Sequence, residues 1–132
     1  MAYTPREAVE KTGFSLDTLR YYERIGLLDS VGRNAGGRRV FTDDDLAWLS
    51  ILRCLRDTGM PIARMLRYAE LARGGDATFD ERAELLEEHD RDLEEKIAAL
   101  RDEQRRIREK IRWYRGRLDL ERAPASSVAG HD

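Results

Sequence analysis

Four side chains within residues 15–28 have the chemistry needed to bind a nucleic acid, because guanidinium and hydroxyl groups hydrogen-bond to phosphates and base edges. They are Thr18, Arg20, Tyr21 and Arg24. Leu16, Leu19 and Ile25 would form the inward face of the helix that carries them. Taken alone, the segment is equally consistent with an ordinary amphipathic helix that buries its tyrosine pair.

The elements around this helix predict a helix-turn-helix. Ser15 can cap the helix, and Asp17 complements the positive end of its dipole. Upstream, residues 4–7 (Thr-Pro-Arg-Glu) form a capping box with proline at the first helical position. That shorter helix would run to about Lys11 and break at Gly13. A short helix, a glycine turn and a second helix are the parts of this motif.

A second basic group follows the predicted recognition helix. Gly26 ends that helix, and residues 31–41 combine turn residues with flanking β-formers, which predicts a hairpin. Its tip would present Arg33, Arg38 and Arg39 beside glycines that allow a close approach to phosphates. Alone, this segment is more typical of a solvated loop; beside the helix it predicts a DNA-contacting wing.

Two further helices complete the predicted head. A capping box at residues 42–45 (Thr-Asp-Asp-Asp) opens a helix over 46–58, and Pro61 starts another that runs to Arg73. Their apolar side chains recur at helical spacing and are predicted to form the core. These are Trp48, Ile51, Leu52, Leu55, Ile62, Met65, Leu66 and Ala69.

A long helix follows the head. Residues 78–81 (Thr-Phe-Asp-Glu) have the form of another capping box, and no proline or glycine occurs again before Gly116. This predicts one helix of about 40 residues and about 60 Å. Apolar residues recur along it every seven positions, interrupted at Asp90 and Gln104, which predicts a dimer seam. The seam comprises Leu86, Leu93, Ile97, Leu100, Ile107, Ile111, Tyr114 and Leu118.

The charges of this helix favour an antiparallel dimer. Residues 76–95 contain ten acidic and two basic residues, whereas 96–118 contain nine basic and three acidic residues. Two antiparallel copies would bring the acidic half of each against the basic half of the other. Charges that merely complement the helix dipole would be confined to the first and last turns.

Composition excludes several classes of protein. The net charge of −2 over 132 residues conceals a local excess of seven basic over five acidic residues in 1–41. We find no apolar run long enough to cross a membrane and no leader, so a soluble protein of the cytoplasm is expected. One cysteine and two distant histidines predict no disulfide, no metal site and no cofactor. No arrangement of nucleophile and base, carboxylate pair or phosphate loop suggests an enzyme.

Three ordered blocks of sequence resemble the MerR family of bacterial transcription regulators over residues 1–118. The first is 18–23 (Thr-Leu-Arg-Tyr-Tyr-Glu) followed by Gly-Leu-Leu at 26–28. The second is 37–46 (Gly-Arg-Arg-Val-Phe-Thr-Asp-Asp-Asp-Leu), and the third is 55–60 (Leu-Arg-Asp-Thr-Gly-Met). The resemblance implies a winged helix-turn-helix head joined to a dimerisation helix.

This resemblance implies roles for particular residues. Arg20 and Tyr21 would contact DNA from the recognition helix, and Arg39 from the wing. Arg38 stands where the family usually has an aromatic residue, so a phosphate contact is expected there. Such dimers bind promoter spacers that hold the promoter elements too far apart for RNA polymerase. Bending and untwisting the DNA realigns the elements, so the polymerase is an indirect partner.

Cys54 is the candidate for sensing. Its surroundings resemble the aldehyde- and thiol-stress-responsive branch of the family, where a cysteine stands in this helix. Asp57 would disfavour a thiolate, and cysteines often serve as small apolar residues, so a structural role stays open. Metal-responsive members carry cysteines at the start of the long helix and after it, whereas this chain has Thr78 and Phe79 and an Ala/Ser-rich segment from Ala123.

The sequence therefore predicts a mainly α protein. A winged helix-turn-helix head of four helices and a hairpin wing would occupy residues 1–75, an antiparallel coiled-coil helix 76–118 and a disordered tail 119–132. The predicted function is a dimeric regulator of a pseudo-palindromic promoter, with electrophile stress as a candidate signal. A signal-independent repressor or architectural DNA-binding protein shares these features. A coiled-coil interaction protein would not need the clustered arginines.

Overall fold

A computed structural model of the chain describes residues 1–29 and 31–122. It is mainly helical with a small antiparallel sheet, as predicted. The elements are β1 (Ala2–Tyr3), α1 (Pro5–Thr12), α2 (Leu16–Ile25), β2 (Gly32–Arg33), β3 (Arg39–Thr42), α3 (Asp43–Asp57), α4 (Ile62–Arg73), a 3₁₀ turn (Gly75–Thr78) and α5 (Phe79–Arg122).

The chain divides into two compact units, Met1–Asp90 and Arg91–Asp132. The first unit contains every element from β1 to α4 and the beginning of α5. The second consists, within the described residues, of the remainder of α5. The predicted boundary at residue 75, between a DNA-binding head and a dimerisation helix, stays a prediction.

The predicted hairpin is present and has a third strand. β2 and β3 pair antiparallel, with Gly32 opposite Val40. On its other edge β3 pairs with β1, where Tyr3 lies opposite Phe41. The Tyr3 hydroxyl donates a 2.7 Å hydrogen bond to Asp43, which raises the pKa of Tyr3 and lowers the pKa of Asp43. A strand of two residues is too short to show an alternating pattern in the sequence.

One core joins the helices of the first unit. Its most deeply buried side chains include Phe14 and Leu19 from the helix-turn-helix, Phe41 from β3 and Leu52 from α3. Trp48 is partly buried, stacks on Tyr68 with ring centroids 5.5 Å apart, and therefore joins α3 to α4.

Three helix predictions need correction. Ile62 is not a core residue, since it lies in the first turn of α4 and is 41% exposed. Thr78 does not cap α5, because it ends the preceding 3₁₀ turn and its hydroxyl donates to the Leu71 and Gly75 carbonyls. α5 also continues through 119–122, which were predicted as tail. The rest of that predicted tail, 123–132, lies outside the described residues.

The capping boxes of α1 and α3 are confirmed. The Thr4 hydroxyl accepts a hydrogen bond from the Glu7 amide, while the Glu7 carboxylate accepts one from the Thr4 amide. Hydrogen bonding to Thr4 lowers the pKa of Glu7. Thr42 and Asp45 make the same reciprocal pair at the start of α3. Both helices therefore begin where their side chains satisfy free amide groups.

Two features favour glycine at position 13, in the turn between α1 and α2. Its φ of +76° lies in the left-handed region, and a Cβ there would lie 1.8 Å from an Nη1 atom of Arg53. Gly26 also has positive φ, +86°, but a Cβ would meet nothing within 4 Å. Substituting each glycine in turn therefore distinguishes the cost of backbone strain from the cost of a steric clash.

We predict that Gly13→Ala lowers the free energy of unfolding by about 2–3 kcal/mol, because left-handed strain adds to displacement of a hydrogen-bonded arginine. The control Gly26→Ala should cost about 1–2 kcal/mol from strain alone. Urea unfolding of both variants at one protein concentration measures the difference. An equal loss of unfolding free energy in the two variants would show that Arg53 moves away from the added methyl group at no cost.

Candidate nucleic-acid interface

The beginning of α2 is fixed by its cap. The Ser15 hydroxyl accepts a 3.1 Å hydrogen bond from the Thr18 amide and donates one of 2.9 Å to the Thr18 hydroxyl. Thr18, predicted to project outward, is therefore half-buried and engaged in the cap. The Thr18 hydroxyl accepts the bond from Ser15 through a lone pair, so its own hydrogen is still available for another acceptor.

The outward face of α2 presents Arg20, Tyr21 and Arg24. All three are exposed, Tyr21 by 41%, and the Arg24 guanidinium lies 5.4 Å from the centre of the Tyr21 ring. Neither arginine forms an ion pair with any residue in the described ranges. Tyr22 is 3% exposed, meets Phe14 edge to face at 5.3 Å, and has its pKa raised by burial. Only one tyrosine of the pair is buried, so the other stands on the outward face.

Arg53 of α3 holds the turn that precedes α2. One of its Nη atoms donates a 2.8 Å hydrogen bond to the Thr12 carbonyl, and its Nε lies 3.0 Å from Asp57. The hydrogen bond from Arg53 lowers the pKa of the Asp57 carboxyl. The Arg56 guanidinium lies over the Phe14 ring, 4.7 Å from its centre. Both arginines therefore stabilise the turn.

A second set of hydrogen bonds holds the far end of α2. Arg73 of α4 donates to the Gly26 carbonyl and pairs with Asp29 at 3.0 Å. The Trp48 indole donates a 2.9 Å hydrogen bond to the Leu27 carbonyl. Side chains of α3 and α4 therefore satisfy the backbone groups that follow α2 and fix where the helix ends.

The tip of the wing is a hydrogen-bonded turn. The Asn34 side-chain oxygen accepts hydrogen bonds from the Gly36 and Arg38 amides, at 2.9 and 3.1 Å. Arg33 donates a 2.8 Å hydrogen bond to the Gly37 carbonyl, so one of its N–H groups stabilises the turn. Arg38 is exposed and forms no ion pair with a residue that the structure describes.

Arg39 joins the wing to α2. Its guanidinium forms a 3.4 Å ion pair with Glu23, and the two side chains are only 25% and 21% exposed. Arg39 was predicted to project from the wing, but here it lies between β3 and the helix. The Glu23 Oε2 atom has no hydrogen-bond partner among the described residues, so the contact is a charge pair without a hydrogen bond that places the wing beside α2.

Cys54 is exposed on α3. The backbone carbonyl of Cys54 accepts a 2.8 Å hydrogen bond from the Thr58 hydroxyl, which is also 2.7 Å from Nε2 of His89 on α5. His89 is buried. Among the described residues no cluster of His, Cys, Asp and Glu could hold a metal ion.

The predicted seam residues of the second unit leave apolar surface uncovered in the single chain. Leu93, Ile97 and Leu118 are half-buried, while Leu100 is 70% exposed. Ile107, Ile111 and Tyr114 are also exposed. None of the helices in the described ranges is long and apolar enough to span a membrane.

Four residues with structural roles in the first unit were missed from the sequence: Glu23, Arg53, Arg73 and His89. Each acts on a residue at least 16 positions away, so no local spacing indicates the contact. The one available signal was an acidic residue, Glu23, on an otherwise basic helix face.

Comparison with known proteins matches residues 3–71 to the family described as "MerR HTH family regulatory protein" and residues 46–110 to "MerR, DNA binding". An uncharacterized HTH-type transcriptional regulator of Haemophilus influenzae is 51% identical over 87 residues, which are 66% of this chain and 64% of that protein. The HTH-type transcriptional regulator AdhR of Bacillus subtilis is 33% identical over 62% of this chain and 59% of its own length. The chain thus spans less than two thirds of these curated relatives.

Solved structures share the fold over nearly the whole chain. HiNmlR, a MerR family regulator lacking the sensor domain and bound to promoter DNA, is 40% identical with a TM-score of 0.83, covering 94% of this chain and 98% of HiNmlR. A MerR family transcriptional regulator from Listeria monocytogenes is 34% identical with a TM-score of 0.77, covering 92% and 99%.

We predict that Glu23→Gln loosens the wing without unfolding the head. Losing one partly buried charge pair of about 1 kcal/mol should raise amide exchange at Asn34 and Arg38 roughly fivefold. Hydrogen exchange followed by NMR measures this. The control Glu10→Gln removes the exposed partner of Arg6 and should leave wing exchange unchanged. Unchanged exchange in Glu23→Gln would mean that the wing is held without the ion pair.

Proposed function

This chain belongs to the MerR family of helix-turn-helix regulatory proteins, and from that premise we propose that it is a dimeric regulator of transcription that binds a pseudo-palindromic promoter spacer. It activates by distorting the DNA between the promoter elements. RNA polymerase is then an indirect partner, and the cytoplasm, where bacterial promoters lie, is its place of action.

The observation that carries the proposal is the joint placement of α2 and the wing. Arg20, Tyr21 and Arg24 lie exposed on one helix, and Arg38 stands exposed on a wing that the Arg39–Glu23 pair fixes to that helix. Arg20 and Tyr21 are assigned to base and phosphate contacts from α2, with Thr18 and Arg24 beside them. Arg38 is assigned to a phosphate contact, and Arg33 and Arg39 add charge near the backbone.

Dimerisation is supported by the uncovered apolar seam of α5 and by its divided charge. One head presents one recognition helix and one wing, which is enough for a single half-site. Two heads held at a fixed spacing read two half-sites, and a two-fold dimer matches a pseudo-palindrome.

Distortion of the DNA requires energy that the contacts must supply. Bending a site of this size costs about 1–6 kcal/mol by elastic estimates. Two helices and two wings, each attached rigidly to its head, can offset this cost through phosphate contacts. Arg53 and Arg73 hold the helix-turn-helix in place. The DNA, rather than the head, therefore changes shape on binding.

Two alternative functions would use all or part of the same surfaces. A signal-independent repressor or architectural DNA-binding protein would bind the same site without an inducer. A coiled-coil interaction protein would use α5 alone, and the exposed arginines of α2 and the wing weigh against it. Transcription in vitro, with and without an electrophile, separates regulation by a signal from constitutive binding.

We predict that Arg20→Ala weakens binding to the DNA upstream of the protein's own coding sequence about tenfold or more, since a base-contacting arginine contributes about 1–3 kcal/mol. Gel shift at fixed salt measures the affinity. The control Arg67→Ala removes the same charge from α4, where Arg67 pairs with Glu70 and Glu81, and should change affinity less than about twofold. Equal losses, or no sequence-dependent shift in the unmodified protein, would refute the proposed interface.

A response to aldehydes or other electrophiles is proposed to act through Cys54. Its exposure makes the thiol reachable, and it is the single cysteine of the chain, so thiol modification can occur nowhere else. Asp57 is paired with Arg53 and Arg56, which reduces its repulsion of a thiolate.

We predict that Cys54→Ser abolishes induction of the target promoter by an aldehyde while leaving DNA affinity within about twofold, because Cys54 does not lie on α2 or the wing. Reporter transcription with and without the aldehyde checks this. Full induction in the variant would leave Cys54 with a structural role.

A further inference from the structure

The flanks of the α5 seam specify how two copies align. In the heptad that places Ile97 and Ile111 at the first apolar position and Leu100 and Ile107 at the second, one flanking position holds only charged residues. They are Asp80, Glu87, Glu94, Arg101, Arg108 and Arg115. All the acidic members precede all the basic ones.

None of these six side chains forms an ion pair within the part of the chain that the structure describes. Other charges of α5 do pair along the helix, as Asp102 does with Arg105 and Glu103 with Arg106. Members of the flanking set are seven residues apart, too far along the helix for a pair within one chain. All six are exposed in the single chain, where opposite charges on a second copy of the helix can complement them.

We infer that a second copy of the chain covers this face in one antiparallel register, with Ile97 of each helix level with Leu100 of the other. The inference rests on the dimer proposed above and identifies its alignment. In an antiparallel pair the two copies of this flanking position face each other across the seam. The register sets Glu94 against Arg101 of the other copy, and the heptad repeat sets Glu87 against Arg108 and Asp80 against Arg115.

Neighbouring registers replace part of this complementarity by like-charge pairs. Sliding one helix by a heptad in one direction sets Glu94 against its own copy, and sliding it in the other sets Arg101 against its own copy. On the opposite flank Lys96 faces Glu103 in the inferred register, while the two slides set Lys96 or Glu103 against itself. Arg82 faces Arg117 in the inferred register as a like-charge pair, although Arg82 already donates hydrogen bonds to Thr78 and to the Gly75 carbonyl of its own chain. Like charges in facing positions are repulsive, so both slides are disfavoured.

The same register accounts for Phe79, which is a 57% exposed aromatic at the start of α5. It occupies the second apolar position of the heptad, two repeats before Leu93. Leu118 of the other copy lies at its level. Between them, the predicted seam residue Leu86 packs against the core of its own head, so the part of the seam left for the other copy is Phe79 and the residues from Leu93 to Leu118.

A spin-label distance tests the register. In a Cys54→Ser background, Glu109→Cys places one nitroxide per chain on the outer face of α5. With a rise of 1.5 Å per residue, the two labels should be separated by about 32 Å along the helix axis. Either one-heptad slide gives about 42 or 21 Å, and a parallel dimer gives an axial separation near zero. Any of these three would overturn the register, whereas a monomer in sedimentation would overturn the proposed dimer itself.

Charge reversal tests the pairs. Glu94→Arg and Arg101→Glu should each raise the dimer dissociation constant about tenfold, because each creates two facing like-charge pairs. An equimolar mixture of the two variants should form a heterodimer as tight as the unmodified dimer, because every pair is again complementary. The control Glu95→Arg makes the same charge change on the outer face and should leave the constant unchanged. Failure of the mixture to recover would refute the pairing.

Discussion

The orientation of helix α2 depends on arginine side chains that donate hydrogen bonds to backbone carbonyls on either side of it. Arg53 reaches the Thr12 carbonyl before the helix, and Arg73 reaches the Gly26 carbonyl after it. A guanidinium is a planar donor that stays charged, so it can satisfy a carbonyl and a carboxylate together. These contacts make α3 and α4 the support on which the exposed face of α2 is presented.

Local patterns predicted the elements well and their mutual contacts poorly. Capping residues such as Thr4, Ser15 and Thr42, together with Gly13 and Gly26, mark helix ends, because each acts on amides within a few residues of itself. Strand β1 and the Arg39–Glu23 pair could not be predicted, because they join segments distant in sequence. Thr78 shows the limit of a motif, since its hydroxyl bonds carbonyls of the preceding turn rather than amides of α5.

At the site, the sequence predicted which side chains are exposed but not which groups they bond to. Exposure of Arg20, Tyr21 and Arg24 follows from helical periodicity, which fixes the side that faces water. The burial of Tyr22 follows equally from its position beside Leu19. What each wing arginine bonds to depends on tertiary packing: Arg33 turns back to the Gly37 carbonyl, and only Arg38 stands clear of such contacts. Because Arg39 is paired with Glu23, basic residues counted along the sequence overstate the charge available to a ligand.

The Arg39–Glu23 pair has a consequence for the ionic atmosphere of DNA. A cation already neutralised by a carboxylate displaces fewer condensed counterions than a free one when it meets a phosphate. In the proposed complex each head would approach DNA with the guanidinium groups that have no carboxylate partner among the described residues, which include Arg20, Arg24, Arg33 and Arg38. The ions released on that binding should number fewer than the arginines of the surface, and a larger share of the affinity should come from shape and hydrogen bonding.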